Sequence, residues 1–381
     1  MTQPFALRAQ AIFDGTTLHQ AATLVIDGST VAALLPADAA PKVPVTDLGA
    51  GVLAPGFVDL QVNGGDGVML GAGADAAMIA RICAAHARLG ATAILPTLIT
   101  DHPKVTAQVI DAAIAATRAH VSGFAGLHLE GPHLDPSRAG AHDPALIRPL
   151  SDTDLRQLEQ AARALPALMV TLAPEAASPV QIARLAKAGV IVSLGHSDCT
   201  AAAAHAARAA GARAVTHLFN AMSQMGARTP GLVGAALASD LWAGIIADGV
   251  HVADDALRVA LGMTAPDRLF LVSDAMAVAG TGLAGFTLGT RQVLRRDGRL
   301  TLPDGTLAGA DITLPQAVAH VVGLGTPLAR ALAMASRIPA TLIGAGDRLG
   351  RIDPGLPADL VFLDPQLRLR GVWQRGKPLP A

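Results

Sequence analysis

Short apolar runs that alternate with Ala-rich amphipathic stretches restrict this chain more than any other feature. The runs are Gly56 to Gln61, Ala91 to Thr97, Phe124 to Glu130, Ala167 to Ala173, Val190 to His196, Ala214 to His217, Trp242 to Asp248 and Leu269 to Asp274. Helix-forming segments such as ADAAMIARICAAHARLG, VTAQVIDAAIAATRAH and SPVQIARLAKAG lie between several of them. Near-continuous apolar strands alternating with such helices indicate a parallel sheet covered on both faces. Eight units within about 220 residues fit a closed (β/α)8 TIM-like barrel better than an open doubly wound sheet. The expected class is α/β.

Both chain ends break this pattern. ALRAQAIFDG, TLVIDGSTVAALLP and VTDLGAGVLAP near the start read as short strands broken by Gly, Asp and Pro turns, and so do GDRLGRIDPGLPADLVFLD and RLRGVWQRGKPL near the end. Termini tend to lie close together. The two ends, residues 1–53 and 337–381, are therefore expected to share one small β-sandwich domain beside a barrel of residues 54–336.

Composition narrows the function. Apolar residues make up 51% of the 381 residues and charged residues 15%, enough for a large core. With 29 basic and 30 acidic side chains and no basic tract, the chain lacks the footprint of a nucleic-acid binder. Mean hydropathy is +0.43. The apolar runs nevertheless fall short of the ~18 residues of a membrane span. MTQPFALRAQAIFDG does not read as a signal peptide. Two scattered cysteines, Cys83 and Cys199, suit a reducing cytoplasm.

Glu130, His196, His217 and Asp274 each close one of the apolar runs. In a (β/α)8 barrel the strand tips converge on the face that carries the active site. Three protein ligands with an open position define a catalytic metal site, and Glu130, His196 and His217 supply three. Zinc suits them, as do iron, cobalt and manganese. Asp274 is then placed to take a proton from water and return it to a leaving amine, or to serve as a fourth ligand. The chemistry this set suggests is metal-assisted hydrolysis.

Other residues near the run ends are less defined. Gln61 and Asn63 share a strand face with Asp59, although Asn-Gly-Gly is also a turn signal. The loop after Glu130 contains His133, Asp135, Arg138, His142 and Asp143, most of them expected to be solvated. Arg228 is the only cation of NAMSQMGARTPGLVG, and DGVHV adds Asp248 and His251. Arg and His beside exposed backbone N–H groups can make a local anion site; otherwise Arg228 is an exposed loop charge. Cys199 reads as a small buried side chain.

In order, PGFVDLQVNGG, HLEGPHLDPSRAGAHDP, GHSD, THLFNAM, DGVHV and LVSDAM closely resemble the N-acetylglucosamine-6-phosphate deacetylases of the amidohydrolase superfamily. The likeness covers nearly the whole chain, and HLEGP with THLFNAM is its most specific part. It implies metal ligation by Glu130, His196 and His217, with Asp274 as catalytic acid/base and His142 polarising the acetyl carbonyl. It further implies that Gln61 and Asn63 lie at the substrate. Asn220, Ala221, Arg228 and His251 would hold the sugar phosphate. Many superfamily members carry His-x-His where this chain has Gln61-Val62-Asn63, so the resemblance implies one divalent ion per subunit. It also implies a homodimer in which Arg228 reaches the neighbouring subunit's site.

One departure is Ala310-Asp311, where relatives carry Ser after Leu-Ala-Gly, in the loop over the sugar. The expected reaction is hydrolysis of N-acetyl-D-glucosamine 6-phosphate to D-glucosamine 6-phosphate and acetate. The alternatives are the galacto epimer, a cyclic amide or dipeptide substrate, or a non-catalytic barrel scaffold.

Overall fold

A computed structural model of the protein describes residues 3–380. Eight parallel strands pair in consecutive order: β1 (Phe57–Val62), β2 (Ala91–Ile99), β3 (Leu127–Glu130), β4 (Leu168–Leu172), β5 (Ile191–Leu194), β6 (Ala214–Val215), β7 (Trp242–Ile245) and β8 (Leu269–Leu271). All eight lie within or overlap the apolar runs. Several of the intervening helices start where polar side chains cap them. Ser151 and Asp154 form a capping box on Asp152–Ala164, and Ser178 and Gln181 form one on Pro179–Lys187.

Four strands stop two or three residues earlier than their runs do. Glu130 remains the last residue of β3, but β5, β6, β7 and β8 end two or three residues before His196, His217, Asp248 and Asp274. The backbone accounts for three of these: φ is +48° at His196, +31° at His217 and +47° at Asp274. A left-handed residue cannot continue a strand, and it turns its side chain out of the strand direction.

The ring closes differently at its last seam. No ladder joins β8 to β1. They meet through a single bridge between Val62 and Ala275 and an Asn63 N–H bond to Ala275 O at 2.8 Å. Asp59 lies fully buried at this seam. Its carboxylate accepts the N–H of Gln61 at 3.2 Å and the N–H of Ser273 at 3.2 and 3.3 Å. A side chain thus takes the place of strand-to-strand hydrogen bonds.

Strands from the two chain ends share a six-stranded sheet. Val52–Pro55 lies antiparallel to Leu360–Leu363, with Leu53 opposite Phe362. A four-stranded sheet of Phe5–Arg8, Thr23–Asp27, Thr30–Leu35 and Val45–Asp47 packs on it through Leu7, Leu24, Ile26, Leu53 and Leu360. Among the described residues no helix is long and apolar enough to cross a membrane.

The segment after β8 was not anticipated as strands. It folds into an antiparallel meander of β9 (Gly285–Leu288), β10 (Arg291–Arg296), β11 (Arg299–Thr301) and β12 (Leu307–Ala310). The signal was present in RRDGRL, because Asp297 and Gly298 both have positive φ, as a tight hairpin turn requires. The meander has its own core of Phe286, Leu288, Val293, Leu300 and Met276.

The departure at Ala310-Asp311 finds its place here. Ala310 N–H binds Asp274 O at 3.0 Å. Asp311 receives Arg295 Nε at 2.7 Å and Nη2 at 2.8 Å, while Arg295 Nη1 binds Thr281 O at 2.7 Å. This bidentate pair ties the meander to the barrel rim.

Candidate active site

The C-terminal mouth of the barrel opens into a cavity of about 360 Å³. Its wall includes Glu130, His196, His217, Asp274, His142, Asn63, Asn220, Ala221 and His251. Residues from β3, from the turns after β5, β6, β7 and β8, and from the loop after β3 thus meet in one space.

At its floor, Glu130 Oε1 lies 2.9 Å from His217 Nε2 and 3.2 Å from His196 Nε2, and the two Nε2 atoms are 3.1 Å apart. A tetrahedral ion with bonds of about 2.0–2.1 Å spaces its ligand atoms about 3.3–3.4 Å apart, so this triangle needs only a slight opening. His196 Nδ1 donates to Arg138 O at 2.8 Å, which commits its proton and leaves Nε2 bare. His217 Nδ1 is buried without a partner. Burial opposes the charge of Glu130, but the adjoining imidazoles of His196 and His217 hold its carboxyl well below the usual range. An anionic carboxylate beside two imidazole nitrogens fits a divalent cation.

His142 also lies close, since a ring nitrogen of His142, a carboxylate oxygen of Glu130 and a ring nitrogen of His196 fall within 4.8 Å of one another. Its tautomer separates it from the ligand set. Thr100 N–H donates to His142 Nδ1 at 3.2 Å, and Thr100 Oγ1 is 2.7 Å from the same atom. Nδ1 is therefore the acceptor and Nε2 carries the proton, 3.8 Å from Glu130 Oε2. Burial, with the neighbouring His196, pushes the His142 pKa down to about 3, so the ring is neutral and offers Nε2–H as a donor.

Asp274 faces the same space. Burial, and then the charge of Glu130, raises its pKa to about 6. Asn63 Nδ2 donates to Asp274 Oδ1 at 2.7 Å, and Asn63 Oδ1 has no partner.

Gln61 and Arg228 both lie off the cavity wall. Gln61 is buried and not on the cavity wall; its Nε2 donates to Glu130 Oε1 at 3.1 Å. A strand side chain pointing into the barrel reaches the carboxylate from behind and stops there. Arg228 is exposed and lines a separate surface pocket with Arg138, Asp198, Cys199 and Thr200, not the cavity of its own chain. Asn220 and Ala221 do lie on the wall, in the tight turn that follows His217.

The structure adds residues that the sequence reading passed over. Thr306, Leu307 and Gly309 bring the end of the meander onto the cavity wall. Gly309 has φ +69°, and a Cβ there would come 2.3 Å from Met276 Cγ and 2.8 Å from Asp274 O, so only glycine fits. Arg138, from the loop expected to be mostly solvated, is on the wall as well, its guanidinium on Asp198 at 2.6 Å. Arg291 reaches across to bind Ala141 O, joining the meander to the loop that carries His142.

Comparison with known proteins identifies the family and the fold. The amidohydrolase family model matches residues 52–379. An N-acetylgalactosamine-6-phosphate deacetylase from Shewanella sp. is 37% identical over 97% of this chain and 94% of its own. An N-acetylglucosamine-6-phosphate deacetylase from Haemophilus influenzae is 33% identical over 93% of each chain. The crystal structure of N-acetylglucosamine-6-phosphate deacetylase from Pasteurella multocida superposes with a TM-score of 0.94 at 32% identity, covering 99% of this chain and 100% of that one.

Proposed function

The chain belongs to the amidohydrolase family, and from that premise we propose that it removes the acetyl group of N-acetyl-D-glucosamine 6-phosphate in amino-sugar catabolism. The products are D-glucosamine 6-phosphate and acetate. The observation that carries this reading is the Glu130, His196 and His217 donor triangle, facing a protonated His142 Nε2 and the Asp274 carboxylate across one cavity.

Glu130, His196 and His217 would hold one divalent ion, zinc by ligand chemistry, with iron, cobalt or manganese also compatible. When bound, such an ion makes water a stronger acid and polarises the amide carbonyl. Gln61 and Asn63, with their amides on Glu130 and Asp274, fit a single-ion site. Asp274 takes the proton of the attacking water, and Asn63 fixes the direction of its carboxylate. His142 Nε2–H donates to the carbonyl oxygen as negative charge gathers on it. Asp274 then delivers the proton to the departing amine, and acetate leaves. Asn220, Ala221 and His251 line the space left for the sugar phosphate. Arg228, on an exposed loop outside its own cavity, has the placement of a residue that serves a neighbouring subunit in a homodimer. Buried free Cys83 and Cys199 suit a cytoplasmic enzyme.

The galacto epimer is the second reading, favoured by the Shewanella relative's match along nearly the full length of both chains. The test measures bound metal and acetate release from both 6-phosphates. One ion per chain with faster release from the gluco epimer is expected. Preference for the galacto epimer selects the second reading, and turnover of neither overturns both.

A further inference from the structure

His251 lies on the cavity wall, with its side chain only 6% exposed. Its Nδ1 is 2.6 Å from Asp248 Oδ2. The other carboxylate oxygen, Oδ1, accepts the N–H groups of Val250 at 2.8 Å and His251 at 2.7 Å. The carboxylate therefore grips the ring and the backbone of the same residue. An ionised carboxylate only accepts hydrogen bonds, so Nδ1 must carry a proton. His251 Nε2 has no hydrogen-bond partner among the described residues and is the atom left for the cavity. Asp248 itself is absent from the wall.

We propose that Asp248 is a positioning residue: it fixes the tautomer and ring direction of His251 so that Nε2 is presented to the bound sugar phosphate. The proposal rests on the reading of His251 as a substrate contact. Three observations make it more than a local turn. The His251–Asp248 contact is buried on both sides, at 6% and 8% side-chain exposure. The carboxylate has both oxygens occupied within the loop that carries His251. Burial opposes its charge, yet the hydrogen bond from His251 leaves Asp248 below its ordinary pKa, so the carboxylate is anionic when it holds the ring. An imidazole without such an anchor divides between tautomers and rotamers, and only one arrangement aims Nε2 at the ligand.

The test is a double-mutant cycle on the metal-loaded enzyme. Asp248→Ala should raise KM for N-acetylglucosamine 6-phosphate roughly tenfold while leaving kcat at saturation within a few-fold. Asp248→Asn keeps an acceptor oxygen in place and should recover most of the loss. In the His251→Ala background, Asp248→Ala should add nothing, because its effect passes through the ring. Nitrogen-15 shifts of His251 should report a protonated Nδ1 in the native protein and mixed tautomers in Asp248→Ala.

Additive losses, or a native Nδ1 signal that survives in Asp248→Ala, would overturn the positioning role while leaving His251 as a substrate contact. If His251→Ala alone leaves KM unchanged, the underlying reading of His251 fails, and the proposal fails with it.

Discussion

Gln61→Leu tests the division of labour at the floor of the site. Gln61 is 2% exposed, and its amide makes one of three close contacts to Glu130 Oε1, at 3.1 Å beside His217 at 2.9 Å and His196 at 3.2 Å. Leucine fills similar volume without a donor. A hydrogen bond to a charged group contributes about 1.5–3 kcal/mol. The same bond is present before any ion arrives, so most of that worth cancels from the binding equilibrium. What remains is the alignment of the carboxylate, and loss of such supporting partners typically weakens metal binding ~10–100-fold. The lower end, about tenfold, is expected here, because His196 and His217 still flank Glu130. The assay is metal affinity by chelator competition, with steady-state kinetics at saturating metal as the companion. KM for the sugar should stay near the native value, since Gln61 is not on the cavity wall. Unchanged metal affinity, or a raised KM with native affinity, would refute the reasoning and return Gln61 to the substrate.

Asp274→Asn should bind metal as the native protein does but lose about 10²–10⁴-fold in kcat, and asparagine tolerates the +47° φ at this position; native turnover would remove Asp274 from proton transfer. Asp311→Ala breaks the bidentate tie to Arg295, so amide exchange should quicken over residues 285–310 and KM should rise, whereas unchanged exchange would show that the meander's own core holds it. Burial pushes the Asp59 pKa up to about 7, so between its unfolded value near 4 and 7 the folded state holds a proton that the unfolded state has lost. Stability should therefore fall as pH rises through that window, and Asp59→Asn should flatten the trend in melting temperatures, which an unaltered pH slope would contradict.

Much of this protein is legible in its sequence because the barrel strands are buried on both faces and so read as apolar runs. The ligand-type residues stand out for the same reason, as polar groups at the ends of those runs. Three things depend on information the runs do not carry. The strands stop short of His196, His217 and Asp274 because each adopts a left-handed backbone, which is set by packing at the mouth. Strand alternation places Gln61 inside the barrel, but whether it meets sugar or Glu130 depends on which neighbour is nearer, a matter of three dimensions. The role of His142 turns on a proton assigned by the Thr100 N–H, 42 residues away in sequence. The meander, by contrast, was announced by Asp297-Gly298 between alternating residues and was passed over.

The left-handed trio at the barrel mouth also bears on descent. A side chain other than glycine costs about 1–2 kcal/mol in that conformation, and no requirement of the barrel explains two histidines and an aspartate there. A duplicated gene copy freed from catalytic duty would gain stability by drifting to glycine at any of the three, and asparagine would be tolerated. Positions 196, 217 and 274 are thus places where decay is thermodynamically downhill. A sibling sequence that still holds His, His and Asp at all three records continuing selection for activity more directly than overall identity does.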